Sequence, residues 1–482
     1  MKGSNSTKAG GPIPLAEFLL PDAVTGRARY LRLADHIIGL VRAGRLRPGD
    51  RLPPSRSLAA ALGVNRKTVI AAYADVTEQG YLTARRGSGV AVARHLPAET
   101  RIGGVPKVGP PEKAGFRFAT RSGVPPRAPQ GWLRVTEGAP DVRLTSLDYL
   151  HTEMRRLSRR GPGRELLGYG SAFGDDLLRK ELATYLRTSR GLPIEGESVL
   201  ITRGSQQGFQ LASRLLFHEG GLLAVSELHY PSLAAVAESY GAELLILPLD
   251  ARGLVVEALR DHPRLADVRA VYVTPHHQYP TTVVLAAERR LLLLQLAADH
   301  GFAILEDDYD YDFQYAAAAQ LPLAALDRDG SVLYLGSFSK ILAPNVRVGY
   351  LCGPPDFIRS AAAFRALTDR QGDLLLERAL ARYLAAGEVD RHLRRVLPVY
   401  RRRRDILAAG LGIPPPVGGM AVWTPRPPRL ATEELMARAR DAHIWLEPAL
   451  TWLTRSDHLR LGFAALNEAE IGRLLAVLKA AE

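Results

Sequence analysis

Cysteine is almost absent from this chain, since Cys352 is the only one among 482 residues. A single thiol excludes an internal disulfide and suits a reducing compartment. Long apolar runs are absent too, because the segment LLLLQLAADHGF is too short and too interrupted to span a bilayer. The N-terminal segment MKGSNSTKAGGPIP is polar and has no apolar core of a secretory signal. We therefore expect a cytoplasmic protein without a membrane partner.

Acidic residues are scarce at one end of the chain. The net charge is +13, and residues 1–95 hold 15 Lys and Arg against 6 Asp and Glu. A basic module on a nearly neutral body suggests a polyanion partner such as nucleic acid. A solvated, arginine-rich surface accounts for the charge equally well, so charge alone leaves both interpretations open.

The length and the 46% of apolar residues allow more than one domain with a large core. Residues 95–115 contain four Pro and four Gly without an apolar period, which is typical of an extended linker. The sequence thus predicts four parts: a flexible tail at 1–28, a small module at 29–94, the linker at 95–115, and a large domain at 116–482.

The small module has the pattern of a helix-turn-helix. A short helix is predicted at about 55–62, a turn at Gly63, and a second helix at about 66–79 with Asn65 as its N-cap. The following segment, YLTARRGSGVAVA, predicts a β-hairpin wing. A small helical domain that binds a protein would show the same pattern.

The segment RLRPGDRLPPSRSLAAALGVNRKTVIAAYADVTEQGYLTARRGSGVAVA resembles the GntR-type winged helix without a gap. The resemblance implies binding of double-stranded DNA, with the start of the second helix in the major groove. It implies DNA-binding roles for Arg56, Asn65, Arg66, Lys67, Thr68, Arg86 and Gly87.

The large domain alternates short β-like apolar runs with Leu- and Ala-rich helical segments. This alternation predicts an α/β domain with a mostly parallel sheet and helices on both faces. Ligands of such sheets bind beyond the carboxyl ends of the strands, so polar residues at those ends are the candidates for a site.

Two of these strand ends, each taken by itself, fit more than one kind of site. TRGSQQG places Ser205 and Gln206 at a strand-to-helix turn, which fits either an anion site or a simple capped turn. TPHHQYPTT offers the adjacent histidines His276 and His277, but neighbours on an extended segment point in opposite directions. We therefore expect no metal site there.

Two further strand ends carry more specific chemistry. ILEDDYDYDF ends a strand in an acidic run, which fits a metal, a solvated charge cluster, or a carboxylate that holds a cationic ring nitrogen. SFSK, with Arg347 beyond it, offers hydroxyls and a guanidinium for a phosphate and a lysine amine for a carbonyl. Together these groups match the needs of one cofactor, pyridoxal phosphate.

Residues from about 116 to 482 resemble a fold-type-I aminotransferase, whose second part is a smaller C-terminal α/β domain. With the winged helix, the whole chain resembles the MocR/GabR group of regulators. The resemblance implies that Lys340 forms the Schiff base with pyridoxal phosphate, Asp307 pairs with its pyridine nitrogen, and Tyr309 bonds its phenolic oxygen. The implied phosphate-binding residues are Ser205, Gln206, Ser337, Ser339 and Arg347.

The resemblance also implies a homodimer in which Tyr169 reaches the phosphate of the partner subunit. Tyr230 would stack on the cofactor ring, and His277 or Gln278 would approach its phenolic side. Arg460 would bind the carboxylate of an effector.

Three positions depart from the family pattern, and the third concerns its GABA-responsive members. Pro-Thr-Gly ends here in Thr282, PGY is replaced by LHY, and Ser232 stands where those members have arginine. The changes leave cofactor binding intact and weaken the case for GABA as the effector.

Two functions fit this sequence. The first is a transcription regulator that senses pyridoxal phosphate, a small amine or an amino acid. The second is a pyridoxal-phosphate-dependent aminotransferase with an accessory DNA-binding head. The architecture favours the regulator, although the site residues do not forbid turnover.

Overall fold

The computed structural model describes residues 15–18, 28–85, 89–97, 115–117, 127–159, 161–315, 320–426, 431–446 and 457–479. The chain divides into two units, Met1–Ser122 and Gly123–Glu482. Most of the predicted tail and linker lies outside the described residues. The predicted boundaries at 28, 94 and 115 stay predictions.

The first unit contains three helices and a hairpin. They are α1 (Arg29–Arg42), α2 (Ser55–Leu62), α3 (Arg66–Glu78), β1 (Leu82–Arg85) and β2 (Gly89–Val92). Buried residues of all three helices, such as Leu33, Leu58 and Val69, share one core. Within the predicted tail, Leu15–Phe18 forms a short 3-10 helix, and Phe18 is buried in this core.

The connection between α2 and α3 is a tight turn. Gly63 has the left-handed backbone conformation (φ 61°) that ends α2, and the Asn65 Oδ1 atom accepts a hydrogen bond from the Lys67 N–H at 2.9 Å. Because α3 buries Val69 and Tyr73, its first residues, Arg66 and Lys67, are exposed. The hairpin that follows is antiparallel, but Arg86 and Gly87 at its tip lie outside the described residues.

The second unit is built around a seven-stranded sheet in the order β4-β12-β11-β10-β9-β5-β6. Its β12 runs antiparallel to both neighbours, and the other strands are parallel. The strands of the unit are β3 (Leu133–Val135), β4 (Val199–Thr202), β5 (Leu222–Ser226), β6 (Glu243–Leu247), β7 (Leu249–Asp250), β8 (Gly253–Leu254), β9 (Val268–Val273), β10 (Ala303–Asp307), β11 (Val332–Ser337), β12 (Gly349–Cys352), β13 (Ala421–Pro425), β14 (Ile444–Leu446) and β15 (His458–Gly462).

Helices cover both faces of this sheet. On β10, Ile304 packs with Leu293 on one face, while its neighbour Leu305 packs with Phe209 on the other. The helices are α4 (Asp148–Arg159), α5 (Asp176–Arg190), α6 (Ser205–Leu216), α7 (Pro231–Glu238), α8 (Val256–Arg260), α9 (Ala287–His300), α10 (Leu323–Leu326), α11 (Phe338–Ile341), α12 (Pro355–Thr368), α13 (Leu374–Ala385), α14 (Glu388–Leu411), α15 (Thr432–Asp441) and α16 (Glu468–Lys479). The predicted α/β class with a mostly parallel sheet is confirmed.

A smaller C-terminal layer has its own core. The β13–β15 pair is antiparallel, and β14 pairs in parallel with β3 from the start of the unit. Buried Val135, Tyr400 and Leu461 belong to the same apolar cluster. This arrangement places Arg460 on β15 next to the segment that follows β3. Among the helices that the structure describes, none is long and apolar enough to cross a membrane.

The Asn65 cap gives the first testable prediction. Asn65→Ala should destabilise α3 by about 1 kcal/mol because it leaves an N–H of the first turn without its acceptor, whereas Asn65→Gly should cost only about a few tenths of that. Amide hydrogen exchange of α3 in the full chain measures both effects. Exchange rates in Asn65→Ala that equal those of the wild type would show that the side chain does not act as a cap.

Candidate functional site

A cavity of about 240 Å³ lies at the carboxyl ends of β4, β10 and β11. Ten of the residues predicted for the cofactor and effector line it: Ser205, Gln206, Tyr230, Asp307, Tyr309, Ser337, Ser339, Lys340, Arg347 and Arg460. The structure therefore brings together residues that are up to 255 positions apart in the chain.

Asp307, the last residue of β10, is a buried carboxylate with one unused oxygen. Its Oδ2 accepts a hydrogen bond from the Tyr272 hydroxyl at 3.1 Å, while its buried Oδ1 has no hydrogen-bond partner among the described residues. Burial raises the pKa of Asp307 to about 7. A cationic N–H donor in the cavity would satisfy this oxygen and offset the cost of burial, so the site fits a protonated pyridine nitrogen.

One end of the cavity is suited to an anion. Helix α6 begins after Gly204 (φ 81°), which has no side chain to cap the first N–H groups. A Cβ at Gly204 would lie 3.1 Å from the Arg347 guanidinium. The Ser337 hydroxyl donates to the Ser339 hydroxyl at 2.8 Å. A helix N-terminus, a guanidinium and two hydroxyls form a set of donors that fits a phosphate.

Lys340 lies on the same cavity, in the short helix α11 that directly follows β11. Its Nζ donates to the carbonyl oxygen of Gly138 at 2.7 Å. The amine is therefore held at the wall of the cavity by the segment after β3.

Arg460 is a buried cation, with 1% of its surface exposed. Its Nη1 donates to the Pro280 carbonyl at 2.7 Å, its Nη2 to the Tyr309 hydroxyl at 3.2 Å, and its Nε to the Glu137 carbonyl at 2.9 Å. The Tyr309 hydroxyl in turn donates to the His277 carbonyl at 2.8 Å. Neutral oxygens hold this guanidinium in place without neutralising its charge.

Three predicted residues do not line this cavity. His277 is buried, and its Nδ1 lies 2.7 Å from Asp310 Oδ1. The Gln278 amide donates to the Ser226 hydroxyl at 2.8 Å. Tyr169 is 81% exposed, and the Arg370 guanidinium contacts one face of its ring at 4.0 Å from the ring centre. Within one chain, then, His277 and Gln278 support the neighbouring loops, and Tyr169 faces outward.

The other carboxylates of the acidic run have separate partners. Glu306 accepts hydrogen bonds from two backbone N–H groups of α10, and Asp308 and Asp312 both pair with the buried Arg190. Among the described residues, no group of His, Cys, Asp and Glu could hold a metal ion.

Sequence analysis missed several residues of the cavity, among them Glu137 and Tyr272. Tyr272 is on β9, and the sequence pattern does not distinguish it from the apolar residues of that strand. Glu137 precedes a glycine in a loop, and tertiary contacts bring this loop to β15, where the Gly462 N–H donates to the Thr136 carbonyl at 2.8 Å. The local pattern gave no signal for either residue.

Comparison with known proteins identifies both parts of the chain. A model of bacterial regulatory proteins of the gntR family matches residues 29–92, and a model of aminotransferase class I and II matches residues 132–478. The HTH-type transcriptional regulator TauR of Rhodobacter capsulatus is 33% identical over 95% of this chain and 97% of that protein. The chain belongs to the MocR/GabR group of GntR-family regulators.

Further relatives agree with this family. The HTH-type pyridoxine biosynthesis transcriptional regulator PdxR of Corynebacterium glutamicum is 33% identical over 79% of this chain and 78% of its own. The structure of kynurenine aminotransferase from Pyrococcus horikoshii matches with a TM-score of 0.65 and 27% identity, over 72% of this chain and 91% of that chain. The prediction of a DNA-binding transcription regulator with an aminotransferase-like domain is confirmed.

Asp307 gives a prediction with a defined pH dependence. Its pKa in the folded chain is raised to about 7 from an ordinary 3.8. The folded chain therefore favours the protonated form of Asp307. Between about pH 4 and about pH 7 the unfolded chain ionises this group while the folded chain keeps it protonated, so the free energy of unfolding falls as the pH rises, and above about pH 7 the loss is constant. Asp307→Asn removes this loss, so it should stabilise the cofactor-free MocR-type protein more at pH 8 than at pH 5.

Thermal unfolding midpoints of the cofactor-free protein at the two pH values measure this effect. The exposed Asp329→Asn is the matched control, and it should shift neither midpoint. An Asp307→Asn effect that is the same at pH 5 and pH 8 would contradict the assignment of a raised pKa to Asp307.

Proposed function

We propose that this regulator binds pyridoxal phosphate in the cavity and senses a small amine, an amino acid or pyridoxal phosphate itself through it. The observation that carries the proposal is the buried Asp307 Oδ1, which faces no hydrogen-bond donor among the described residues in the cavity that also holds Lys340 and Arg347. The similarity to TauR and PdxR, which are both transcriptional regulators, supports sensing over catalysis.

Pyridoxal phosphate supplies an aldehyde that condenses with amines and a ring that withdraws electrons when its nitrogen is protonated. Asp307 would hold the proton on that nitrogen, and the Tyr309 hydroxyl would turn from the His277 carbonyl to donate to the phenolic oxygen. Lys340 would offer the amine that joins the cofactor to the protein. The residues that would hold the phosphate line the same cavity: Ser205, Gln206, Ser337, Ser339 and Arg347.

Binding of the effector depends on Arg460. Its two terminal nitrogens form a planar pair of donors that suits a carboxylate. The guanidinium is already fixed by three neighbouring oxygens, so little side-chain entropy is lost when a ligand arrives. Tyr230 lines the same cavity and packs edge-on against Tyr279, which suits it to stack on a cofactor ring.

A homodimer completes the proposed site. Tyr169 is exposed, and it lies where two segments meet. Arg370 of one segment contacts the Tyr169 ring of the other, and the neighbouring Gln371 side chain accepts a hydrogen bond from the Gly170 N–H. The exposed Leu167 and Leu367 are on the same two segments. Apolar side chains exposed together favour an interface, from which Tyr169 would reach the phosphate of the partner subunit.

The DNA-binding end of the proposal is the start of α3. Arg66 and Lys67 are exposed there, Thr68 is half-buried, and Arg56 is exposed on α2. In a dimer, two such helices would meet two half-sites of an operator. Such a regulator works in the compartment that holds the DNA, the bacterial cytoplasm.

The second candidate function is an aminotransferase with a DNA-binding head. It is favoured by the cavity itself, where a lysine amine, a ring-binding carboxylate and a carboxylate-binding arginine lie together. Keto-acid formation from a panel of amino acids distinguishes the two. Sustained turnover at about 1 per second or faster, an ordinary enzymatic rate, would favour the enzyme.

Lys340→Ala tests the cofactor proposal. The wild-type protein with pyridoxal phosphate should show the near-visible absorbance of a cofactor joined to a lysine amine, and the variant should lose it because the amine is gone. The absorbance spectrum after removal of free cofactor measures this. Persistence of the band would show that another lysine holds the cofactor.

Lys67→Ala tests the DNA-binding surface. If Lys67 contacts one phosphate, its removal should weaken binding to the chain's own upstream DNA and reduce the slope of log K against log salt by about 0.9. Gel retardation over a salt series measures the slope. Arg328→Ala, an exposed cation of the second unit, is the control, and an unchanged slope in Lys67→Ala would exclude the contact.

A further inference from the structure

Tyr272 is the side chain that holds Asp307 in place. It lies on β9, where it pairs with Leu305 of β10. Asp307 follows Leu305 by two residues, so it lies on the same face of the sheet, roughly 6.6 Å further along the strand. The Tyr272 ring covers this distance, and its hydroxyl donates to Asp307 Oδ2 at 3.1 Å. The Phe209 ring, whose centroid is 5.3 Å away, packs edge-on against the Tyr272 ring and fixes the direction of the hydroxyl.

This contact divides the two carboxylate oxygens of Asp307 between the protein and the cavity. Both side chains line the cavity, and both are buried, with 3% of Tyr272 and 7% of Asp307 exposed. The Tyr272 hydroxyl occupies Oδ2, while the buried Oδ1 has no hydrogen-bond partner among the described residues. The hydrogen bond therefore opposes rotation of the carboxylate and leaves Oδ1 as the acceptor for an N–H group of a ligand.

The same hydrogen bond acts on the charge of Asp307. Burial raises the pKa of this carboxyl group, and the Tyr272 hydroxyl lowers that pKa more than the Lys340 charge does. Burial also raises the pKa of Tyr272 well above its ordinary value, so the hydroxyl keeps its proton and stays a donor. The other ionisable groups that act on Asp307 are two carboxylates and two hydroxyls: Asp308, Asp310, Tyr230 and Tyr309.

We propose that Tyr272 is a positioning residue of the cofactor site, which directs Asp307 Oδ1 to the ring nitrogen and extends cofactor binding to lower pH by keeping Asp307 ionised. This inference rests on the proposed function, since it assumes that Asp307 pairs with the ring nitrogen of pyridoxal phosphate. A tyrosine that only fills space beside Phe209 makes a different forecast. Removing its hydroxyl would then weaken cofactor binding by the same factor at every pH.

Tyr272→Phe tests the proposal, because it removes the hydroxyl and keeps the ring. At pH 6, below the pKa of about 7 of Asp307, protonation of the carboxylate competes with binding. There the variant should bind pyridoxal phosphate about tenfold more weakly than the wild type, since one charged hydrogen bond supplies that much. At pH 8.5 the carboxylate is mostly ionised in both proteins, so the ratio of affinities should fall to near one. Titration of the cofactor-free full chain, followed by near-visible absorbance, measures the ratio.

Tyr185→Phe is the matched control. Its hydroxyl also donates to a carboxylate, Asp312 Oδ1 at 2.8 Å, but it does not line the cavity, so the control should keep the wild-type affinity at both pH values. Thermal unfolding of the cofactor-free protein gives a second measurement. Tyr272→Phe should lower the midpoint more at pH 8.5 than at pH 6, because the folded chain ionises Asp307 only at the higher pH and the anion then lacks its donor.

The outcomes separate this inference from the proposed function. Equal affinities of Tyr272→Phe and the wild type at pH 6, a ratio that is the same at both pH values, or an equal effect on the two unfolding midpoints would overturn the inference while cofactor binding stands. A wild type that gains no near-visible absorbance with pyridoxal phosphate at either pH would overturn the proposed function itself.

Discussion

The candidate site depends on one buried carboxylate at the end of a central strand. Asp307 lies on β10, between β9 and β11, and its position is fixed by parallel pairing on both sides. Burial in this position opposes its ionisation, which is why its pKa rises. A folded chain keeps such a group when a ligand compensates the charge. The cavity also holds Lys340 and, at one end, a set of donors that suits an anion.

Tertiary contacts also fix Arg460 and Lys340, the two side chains that are proposed to bind the effector. Each is held by a backbone carbonyl of adjacent residues, Glu137 and Gly138. The segment after β3 therefore orients both the amine and the guanidinium. An effector that takes over either contact would act directly on this segment. A coupling of 1–3 kcal/mol between an effector and DNA, typical of allosteric proteins, corresponds to roughly 5- to 150-fold in affinity.

Most of the fold could be predicted from the sequence because helix caps, turns and the pattern of apolar residues determine it locally. The α2–turn–α3 boundaries were placed within one residue, since Gly63 and Asn65 mark a helix end and a helix start. The strand ends that carry Ser205, Asp307 and Lys340 were found because parallel strands deliver their carboxyl ends to one edge. Neither result needed long-range information beyond the strand pattern.

The rest depended on tertiary contacts that no local pattern reports. His277 was expected near the cofactor, but its ring lies against Asp310, and only its carbonyl reaches Tyr309. Whether Tyr169 completes a neighbouring site stays a prediction, because that contact belongs to a partner subunit. Glu137 was missed because its approach to Arg460 arises from contacts between β15 and the segment after β3, such as the 2.8 Å hydrogen bond from the Gly462 N–H to the Thr136 carbonyl, and these segments are more than 300 residues apart. The most direct test of the central claim measures the affinity for the chain's own upstream DNA, with pyridoxal phosphate, as an amine is added to wild type and to Lys340→Ala. The account predicts an amine-dependent change in the wild type that is lost in the variant. An equal response in both proteins would contradict it.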